Sequence, residues 1–303
     1  MMHSPPPVGG PGPDQAAAAA YSDTWVVMPT YDEADNVAGI AKAILQCLPG
    51  ATLLIVDDAS PDGTGRIADG LALADSHIRV HHRPAKLGLG RAYVDGFSVA
   101  LRGGAQRIVQ MDADWSHDPG YLTTMMNALT GGPGAPAVGG ADLVIGSRYV
   151  KGGGVRDWGL PRRLVSRGGS LFARSVLRLS AHDLTGAFKV WRRDALAATP
   201  WDRLHSGGYV FSIEMTYLAA RRGARVVEVP IVFTDRRVGV SKMSRRIIGE
   251  ALVVVLRLRW DELRGRPAAG RPATTTAPLA GATITGASAT AAATGTSEES
   301  ESA

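Results

Sequence analysis

Short apolar runs recur at Trp25 to Met28, Leu53 to Val56, Ile78 to His82, Ile108 to Met111 and Leu143 to Ile145. Runs of this length, bounded by polar and turn residues, predict strands. Between the first two, Val37, Ile40, Ala41, Ile44, Leu45 and Leu48 return at three- and four-residue intervals and mark one face of a helix. This alternation predicts an α/β fold: an open, mostly parallel sheet with helices on both faces. Ligands of such sheets bind beyond the carboxyl ends of the strands.

Polar residues cluster at those ends. Strand one runs into Pro29-Thr30-Tyr31-Asp32-Glu33, strand two into Asp57-Asp58-Ala59-Ser60-Pro61-Asp62-Gly63, and strand five into Gly146-Ser147-Arg148-Tyr149. Strand four runs into Asp112-Ala113-Asp114-Trp115-Ser116-His117-Asp118-Pro119. Four clusters at four strand ends predict one shared crevice. Two carboxylates one residue apart would repel in a dry interior and call for a cation. Mg²⁺ and Mn²⁺ are held by one or two carboxylates plus substrate phosphates, so Asp112 and Asp114 predict an enzyme that handles a diphosphate. Plainer readings stand beside this one. Asp57-Asp58 and the residues after it also read as a turn with Thr64 capping the next helix. Lys86-Leu87-Gly88-Leu89-Gly90 reads as a turn and helix start or as a phosphate cradle.

Composition narrows the class. With 303 residues, 45% hydrophobic and 20% charged, the chain can bury one large core or two small ones. The single cysteine, Cys47, excludes an intramolecular disulfide and a multi-cysteine zinc site. Residues 1–23 are rich in Pro, Gly and Ala, and 264–303 in Ala, Thr, Gly and Ser, which predicts disordered tails around a domain at 24–263. The start lacks a basic region followed by a Leu/Val-rich stretch, so no secretory signal is expected. The longest apolar stretch, Ile247 to Leu256, contains Glu250 and falls short of the roughly 18 residues that span a bilayer.

Taken in order, the block at 29–33, Val56 to Thr64, Lys86 to Gly90, Asp112 to His117 and Gly146 to Tyr149 resemble the motifs of the dolichol/polyprenol-phosphate mannose synthases, which are GT-A, family 2 glycosyltransferases. The resemblance spans roughly Val26 to Lys242. Asp112 to Pro119, combined with Ser60 to Thr64, is specific to the polyprenyl-phosphate branch. It implies a GT-A nucleotide-diphospho-sugar transferase domain in which Pro29, Tyr31 and Glu33, with Val56 and Asp58 beside them, contact guanine and ribose. It implies further that Asp112, Ala113 and Asp114 meet the donor, that Asp112 and Asp114 carry Mg²⁺ or Mn²⁺, and that Arg148 lies near the donor sugar and diphosphate. Ser116 is a further oxygen ligand in this reading, at a position where many relatives carry Gln. The metal would neutralise the departing GDP.

Charge separates the two halves. From Arg148 to Arg193, eleven Lys and Arg stand against Asp157 and Asp183 alone, whereas Met1 to Ser60 holds one Lys against seven Asp and Glu. A nucleic acid is not the expected partner, because the basic segment follows a metal and nucleotide half and shows no recognition motif. An anionic phosphate and a membrane surface fit better. By resemblance, Arg162 and Ser166 hold the acceptor phosphate, with Arg163 the neighbouring alternative to Arg162. Asp235 to Lys242 resembles a mobile loop whose Arg236 and Lys242 reach the donor diphosphate, Gly239 giving it freedom to fold over the site; a basic surface loop is the plainer reading. Asp183 to Lys189 resembles a region lining the acceptor side, or forms a turn into a strand. Glu214 orients a substrate or an arginine, or is structural. His117 has the chemistry of a base, but its place beside Asp118-Pro119 predicts a helix cap or a hydrogen bond to the Asp-x-Asp loop.

An attacking sugar hydroxyl needs a general base. A phosphate monoester, with a second pKa of about 6, is already largely dianionic at pH 7 and needs none. The expected reaction is a single in-line displacement at the sugar C1, with inversion, carrying mannose from GDP-mannose to polyprenyl phosphate. A UDP-glucose-dependent polyprenyl-phosphate glucosyltransferase is the rival enzyme, and a sugar-nucleotide or lipid-phosphate binding protein the rival outside enzymes. Ser244 to Leu263 predicts a helix with Ile247, Ile248, Ala251, Leu252, Val255 and Leu258 on one side and Arg245, Arg246, Arg257 and Arg259 near its ends. Such a helix suits a membrane interface or the domain's own core. The expectation is a peripheral protein on the cytoplasmic side of the plasma membrane, bound directly or through a separate integral membrane subunit.

Overall fold

The computed structural model describes residues 19–133, 135, 140–201, 204, 210–235, 245–265 and 284–285. Its strands are β1 (Thr24–Thr30), β2 (Thr52–Asp57), β3 (Ile78–His82), β4 (Arg107–Gln110), β5 (Leu143–Ser147), β6 (Gly154–Val155), β7 (Lys189–Arg192), β8 (Val226–Pro230), β9 (Val232–Phe233) and β10 (Ile284–Thr285). The helices are α1 (Val37–Cys47), α2 (Thr64–Ala74), α3 (Leu89–Arg102), α4 (Leu122–Thr130), α5 (Leu160–Leu177), α6 (Arg193–Ala198), α7 (Phe211–Arg221) and α8 (Arg245–Leu263).

Eight strands form one sheet in the order β10-β3-β2-β1-β4-β7-β5-β8, and β6 pairs with β9 apart from it. β7 runs antiparallel between β4 and β5, and β10 antiparallel along β3; the remaining six run parallel. All seven residues of β1 are buried, as helices on both faces require. Trp25 and Val27 face a core with Tyr93, Phe97, Trp191 and Phe211, while Val26 and Met28 face a second with Ile40, Ile44, Met125 and Leu129. α3 lies so close to β1 that a Cβ on Gly96 would come within 2.3 Å of Val27 Cγ1.

This topology aims the polar clusters at one place. The chain steps from β1 outward to β2 and β3, then returns to set β4 on the other side of β1, so the strand order reverses between β1 and β4. Crevices at such reversals hold ligands. Tyr31 leaves β1 and Asp112 leaves β4 on either side of it.

The five expected strands are present, with ends shifted by up to two residues. Asp23, ahead of β1, accepts from Arg107 Nε at 2.7 Å, and the Ala20 carbonyl from Arg107 Nη2 at 2.6 Å. Residues 1–18 of the expected N-terminal tail lie outside the described residues, as does the expected C-terminal tail apart from 264–265 and 284–285. No helix among the described residues is long and apolar enough to cross a membrane.

Candidate active site

Asp112 and Asp114 sit in the loop after β4, and each is oriented by a neighbour. The Tyr93 hydroxyl, from α3, donates to Asp112 Oδ1 at 2.6 Å. The Ser116 hydroxyl and backbone N–H both donate to Asp114 Oδ1, at 2.5 and 3.1 Å. Donating its hydrogen leaves the Ser116 oxygen with lone pairs, so that oxygen can orient Asp114 and also face a metal. Two carboxylates and a hydroxyl make an all-oxygen donor set, which suits Mg²⁺ or Mn²⁺. Among the described residues no group of three or more His, Cys, Asp or Glu is placed to hold a metal. The set therefore fits an ion that completes its shell with substrate phosphate and water.

His117 closes this loop from below. Its Nδ1 accepts the Asp112 backbone N–H at 3.3 Å, and its ring stacks on Phe188 with centroids 5.0 Å apart. Burial holds its imidazole below the ordinary value, against the opposing pull of Asp112 and Asp114. His117 thus makes the expected bond to the Asp-x-Asp loop, while the cap of the Pro119–Tyr121 turn is Asp118, which accepts from the Gly120 N–H at 2.8 Å.

The loops after β1 and β2 are laced together. Glu33 N–H donates to Thr64 Oγ1 at 2.9 Å, Ala34 N–H to Asp62 Oδ2 at 3.0 Å and Asp32 N–H to Ser60 Oγ at 3.2 Å. Thr64 therefore does not cap its helix; Asp62 accepts the Thr64 N–H at 2.9 Å, and Thr64 reaches across to the first loop. Asp57 accepts from Thr30 Oγ1 and Ser60 Oγ, a structural duty. Asp58 pairs with buried Arg83, which also holds Asp95 at 2.8 Å. Burial pushes the Asp58 carboxyl up, against the pull of Arg83 and of the Gly88 and Leu87 amides. Those amides face a carboxylate of the protein, which supports the turn reading of Lys86 to Gly90. Lys86 Nζ lies 3.4 Å from the centroid of the Tyr31 ring. Pro29 and Ala113 are buried, Tyr31 and Glu33 half-buried. Val56 is fully buried, its side chain packed against α3.

Arg148, just past β5, forms a bidentate pair with Asp183: Nε to Oδ2 and Nη2 to Oδ1, both at 2.7 Å. Nη2 also donates to Thr185 Oγ1 at 2.7 Å, and the Arg148 backbone N–H to Asp183 Oδ2 at 3.0 Å. Burial opposes both charges, but each partner outweighs it: Arg148 holds the Asp183 carboxyl below its ordinary value, and Asp183 holds the guanidinium above its own. Asp183 to Lys189 is therefore the turn that seats Arg148 and leads into β7.

On α5, Arg162 Nη1 donates to Asp235 Oδ2 at 2.6 Å, and its guanidinium lies 4.1 Å from the Trp158 ring centroid. Ser166, one turn on, is buried and accepts the Tyr149 hydroxyl at 2.7 Å. Arg163 points outward, its Nη2 3.4 Å from the Val155 carbonyl oxygen. The two arginines thus differ in setting: Arg162 packs against Trp158 and Asp235, and Arg163 is exposed. Arg236, Gly239 and Lys242 lie outside the described residues.

Sequence reasoning missed Tyr93, Trp158 and Lys189. Tyr93 lies on a helical core stripe, where a hydroxyl aimed at a carboxylate leaves no signature. Lys189 is fully buried in β7, with Nζ donating to the Ser212 carbonyl and hydroxyl oxygens at 2.7 and 2.6 Å. Glu214 is fully buried on α7.

Residues 25–199 match the glycosyl transferase family 2 model, and the chain belongs to that family. It is a glycosyltransferase of GT-A architecture. Among curated relatives, it is 42% identical over 261 residues to the polyprenol monophosphomannose synthase of Mycolicibacterium smegmatis, covering 84% of this chain and 96% of the relative. It is 43% identical over 244 residues to the undecaprenyl-phosphate mannosyltransferase of Micrococcus luteus, covering 79% of this chain and 97% of the relative. A glucosyl-3-phosphoglycerate synthase from Mycobacterium tuberculosis, solved with Mn²⁺, UDP and its product, shares the fold at TM-score 0.54 and 20% identity, each chain covered to 86%.

Proposed function

We propose that this glycosyltransferase moves mannose from GDP-mannose to a polyprenyl phosphate, with inversion at C1. The observation that carries the reading is the oriented Asp112 and Asp114 pair beside the β1/β4 reversal, in a chain whose 42% and 43% identical relatives bear mannosyl-polyprenyl-phosphate names. Tyr31 and Glu33, with Pro29 and Asp58 beside them, line the nucleotide side, and Asp112, Ala113, Asp114 and Arg148 the diphosphate and sugar. Arg236 and Lys242 complete the donor site in this proposal. Arg162 and Ser166 receive the acceptor phosphate.

Asp112 and Asp114, with Ser116 beside them, would hold Mg²⁺ or Mn²⁺, which when bound supplies charge neutralisation for the departing diphosphate. The protein's own residues supply position. Tyr93 and Ser116 fix the two carboxylates, and Asp183 fixes Arg148 so that its charge is in place before substrate arrives. Arg162 presents the acceptor, already ionised, for in-line attack. His117, its Nδ1 occupied by a backbone N–H and its proton affinity lowered by burial, holds the loop and takes no proton from the acceptor.

Peripheral binding on the cytoplasmic side of a membrane belongs to this reading, and α8 supports the membrane contact. It buries Val254, Val255 and Leu258 against the domain, yet leaves Leu252, Val253, Leu256, Trp260 and Leu263 exposed. Where a single apolar stripe was expected, the helix carries two. α5, which packs on it, exposes Leu160, Leu164 and Leu171 among Arg163 and Arg167.

A radiolabelled transfer assay with GDP-mannose and UDP-glucose in parallel, with and without EDTA, tests the proposal. Labelled lipid from GDP-mannose alone, lost with EDTA and restored by Mg²⁺ or Mn²⁺, is the expected result. Transfer from UDP-glucose alone would establish the rival enzyme, and an α-linked product would overturn the single displacement.

A further inference from the structure

Trp158 lies in the connection between β6 and α5, only 6% exposed, at the meeting point of the two halves of the site. The Arg162 guanidinium lies 4.1 Å from its ring centroid and the Arg148 guanidinium 5.5 Å. Phe233 meets the indole edge-on at 5.3 Å and meets His117 edge-on at 5.5 Å. Trp158, Phe233 and His117 therefore form a continuous aromatic wall from the acceptor arginine to the backbone of Asp112.

The indole itself is informative. Its Nε1–H is buried and has no hydrogen-bond partner among the described residues. Burying a donor in this way is costly, and a residue needed only for volume avoids the cost by being Leu or Phe. What tryptophan adds is the most electron-rich ring face, the best side-chain surface for a guanidinium. Arg162 is held on that face and at Nη1 by Asp235, while its own Nε has no partner among the described residues. An arginine fixed on two sides loses little further freedom when a phosphate arrives and offers a fork suited to it.

We propose that Trp158 is a positioning residue for the acceptor phosphate, acting through Arg162. The proposal rests on the reading of Arg162 as the phosphate ligand. Trp158 sets the guanidinium's plane and keeps it apart from the neighbouring Arg148, so that one cation serves the acceptor and the other the donor side.

Trp158→Leu and Trp158→Phe are to be made in the parent and in Arg162→Ala, with kcat and both KM values measured on polyprenyl phosphate and GDP-mannose. Trp158→Leu is expected to raise the acceptor KM about tenfold, the effect of losing a desolvated cation–π contact, with the GDP-mannose KM within about twofold of parent. Trp158→Phe, which keeps a ring face, should rescue most of that change. In the Arg162→Ala background neither substitution should raise the acceptor KM further. Multiplication of the two effects, or a parallel rise in both KM values, would overturn the proposal and leave Trp158 as packing. Should Trp158→Leu not fold, the coupling of Trp158→Phe to Arg162→Ala decides the question by the same criterion. An Arg162→Ala variant with the parent's acceptor KM would instead remove the phosphate reading itself, and this proposal with it.

Discussion

Tyr93 and Asp112 are joined by a 2.6 Å hydrogen bond that ties α3 to the loop after β4. The tyrosine ring is buried and stacks with Phe97 and Phe211, at 5.8 and 5.9 Å between centroids, so the hydroxyl is delivered by a rigid support. Partners of metal-binding carboxylates typically contribute 10- to 100-fold to metal affinity. Tyr93→Phe keeps the stacking and deletes the bond. It is expected to raise the Mn²⁺ concentration for half-maximal transfer about tenfold, with little change in thermal midpoint. A metal titration matching the parent's would show that Tyr93 does not orient this carboxylate.

The Arg148 and Asp183 pair predicts a stability effect separate from catalysis. Both groups are buried, and Asp183 is fully so. Removing one partner leaves a charge without compensation, which costs about 3–5 kcal/mol. Asp183→Ala should therefore lower the urea midpoint substantially, whereas Arg163→Ala, at an exposed position, should change the unfolding free energy by no more than about 0.5 kcal/mol. Equal midpoints for the two variants would contradict the pairing.

The sequence carried the frame of the molecule and the residue types at its strand ends. β1 through β5 were legible because central parallel strands, covered on both faces, read as apolar runs. β7 was not, because it opens on Lys189, and a buried ammonium looks like a surface residue in a pattern. Asp112 and Asp114 announced themselves by adjacency. Their supports did not: Tyr93 is 19 residues from Asp112 and Asp183 is 35 from Arg148, separations that only the folded sheet closes. Val56 shows that a strand-end position beside a site can also pack its side chain into the core. In α8, apolar residues facing water are written in the same letters as those facing the core, so two stripes read as one.

Lys189 predicts a pH dependence of stability. Burial lowers its pKa to about 7, with the nearby Asp183 pulling the other way. A lysine whose folded value lies below its unfolded one binds fewer protons when folded between about pH 7 and 10.5, so stability rises with pH across that window. From pH 7 to 9 the gain is about 2 kcal/mol. Urea unfolding of the parent at both pH values, set against Lys189→Met, reads it directly: the difference in stability between the two proteins should shift in the parent's favour at pH 9. A difference that stays constant would mean that the ammonium remains charged throughout.

The second apolar stripe on α8 predicts how the protein meets its lipid. Val253, Leu256, Trp260 and Leu263 are 55–65% exposed, and a surface of large apolar side chains beside arginines is what an interfacial helix presents to anionic lipid. Replacing an exposed apolar side chain with a polar one removes no core contact, so Leu256→Ser with Trp260→Ser should leave the thermal midpoint near the parent's. Affinity for vesicles containing anionic lipid, read by cosedimentation, should fall by at least about thirtyfold, because the two large apolar groups together contribute on the order of 2–4 kcal/mol. Transfer to a short-chain, water-soluble polyprenyl phosphate should be unchanged, since both side chains are exposed and neither is among the proposed site residues. Vesicle binding equal to the parent's would place the lipid contact on another face, and loss of activity on the soluble acceptor would show that this helix supports the site itself.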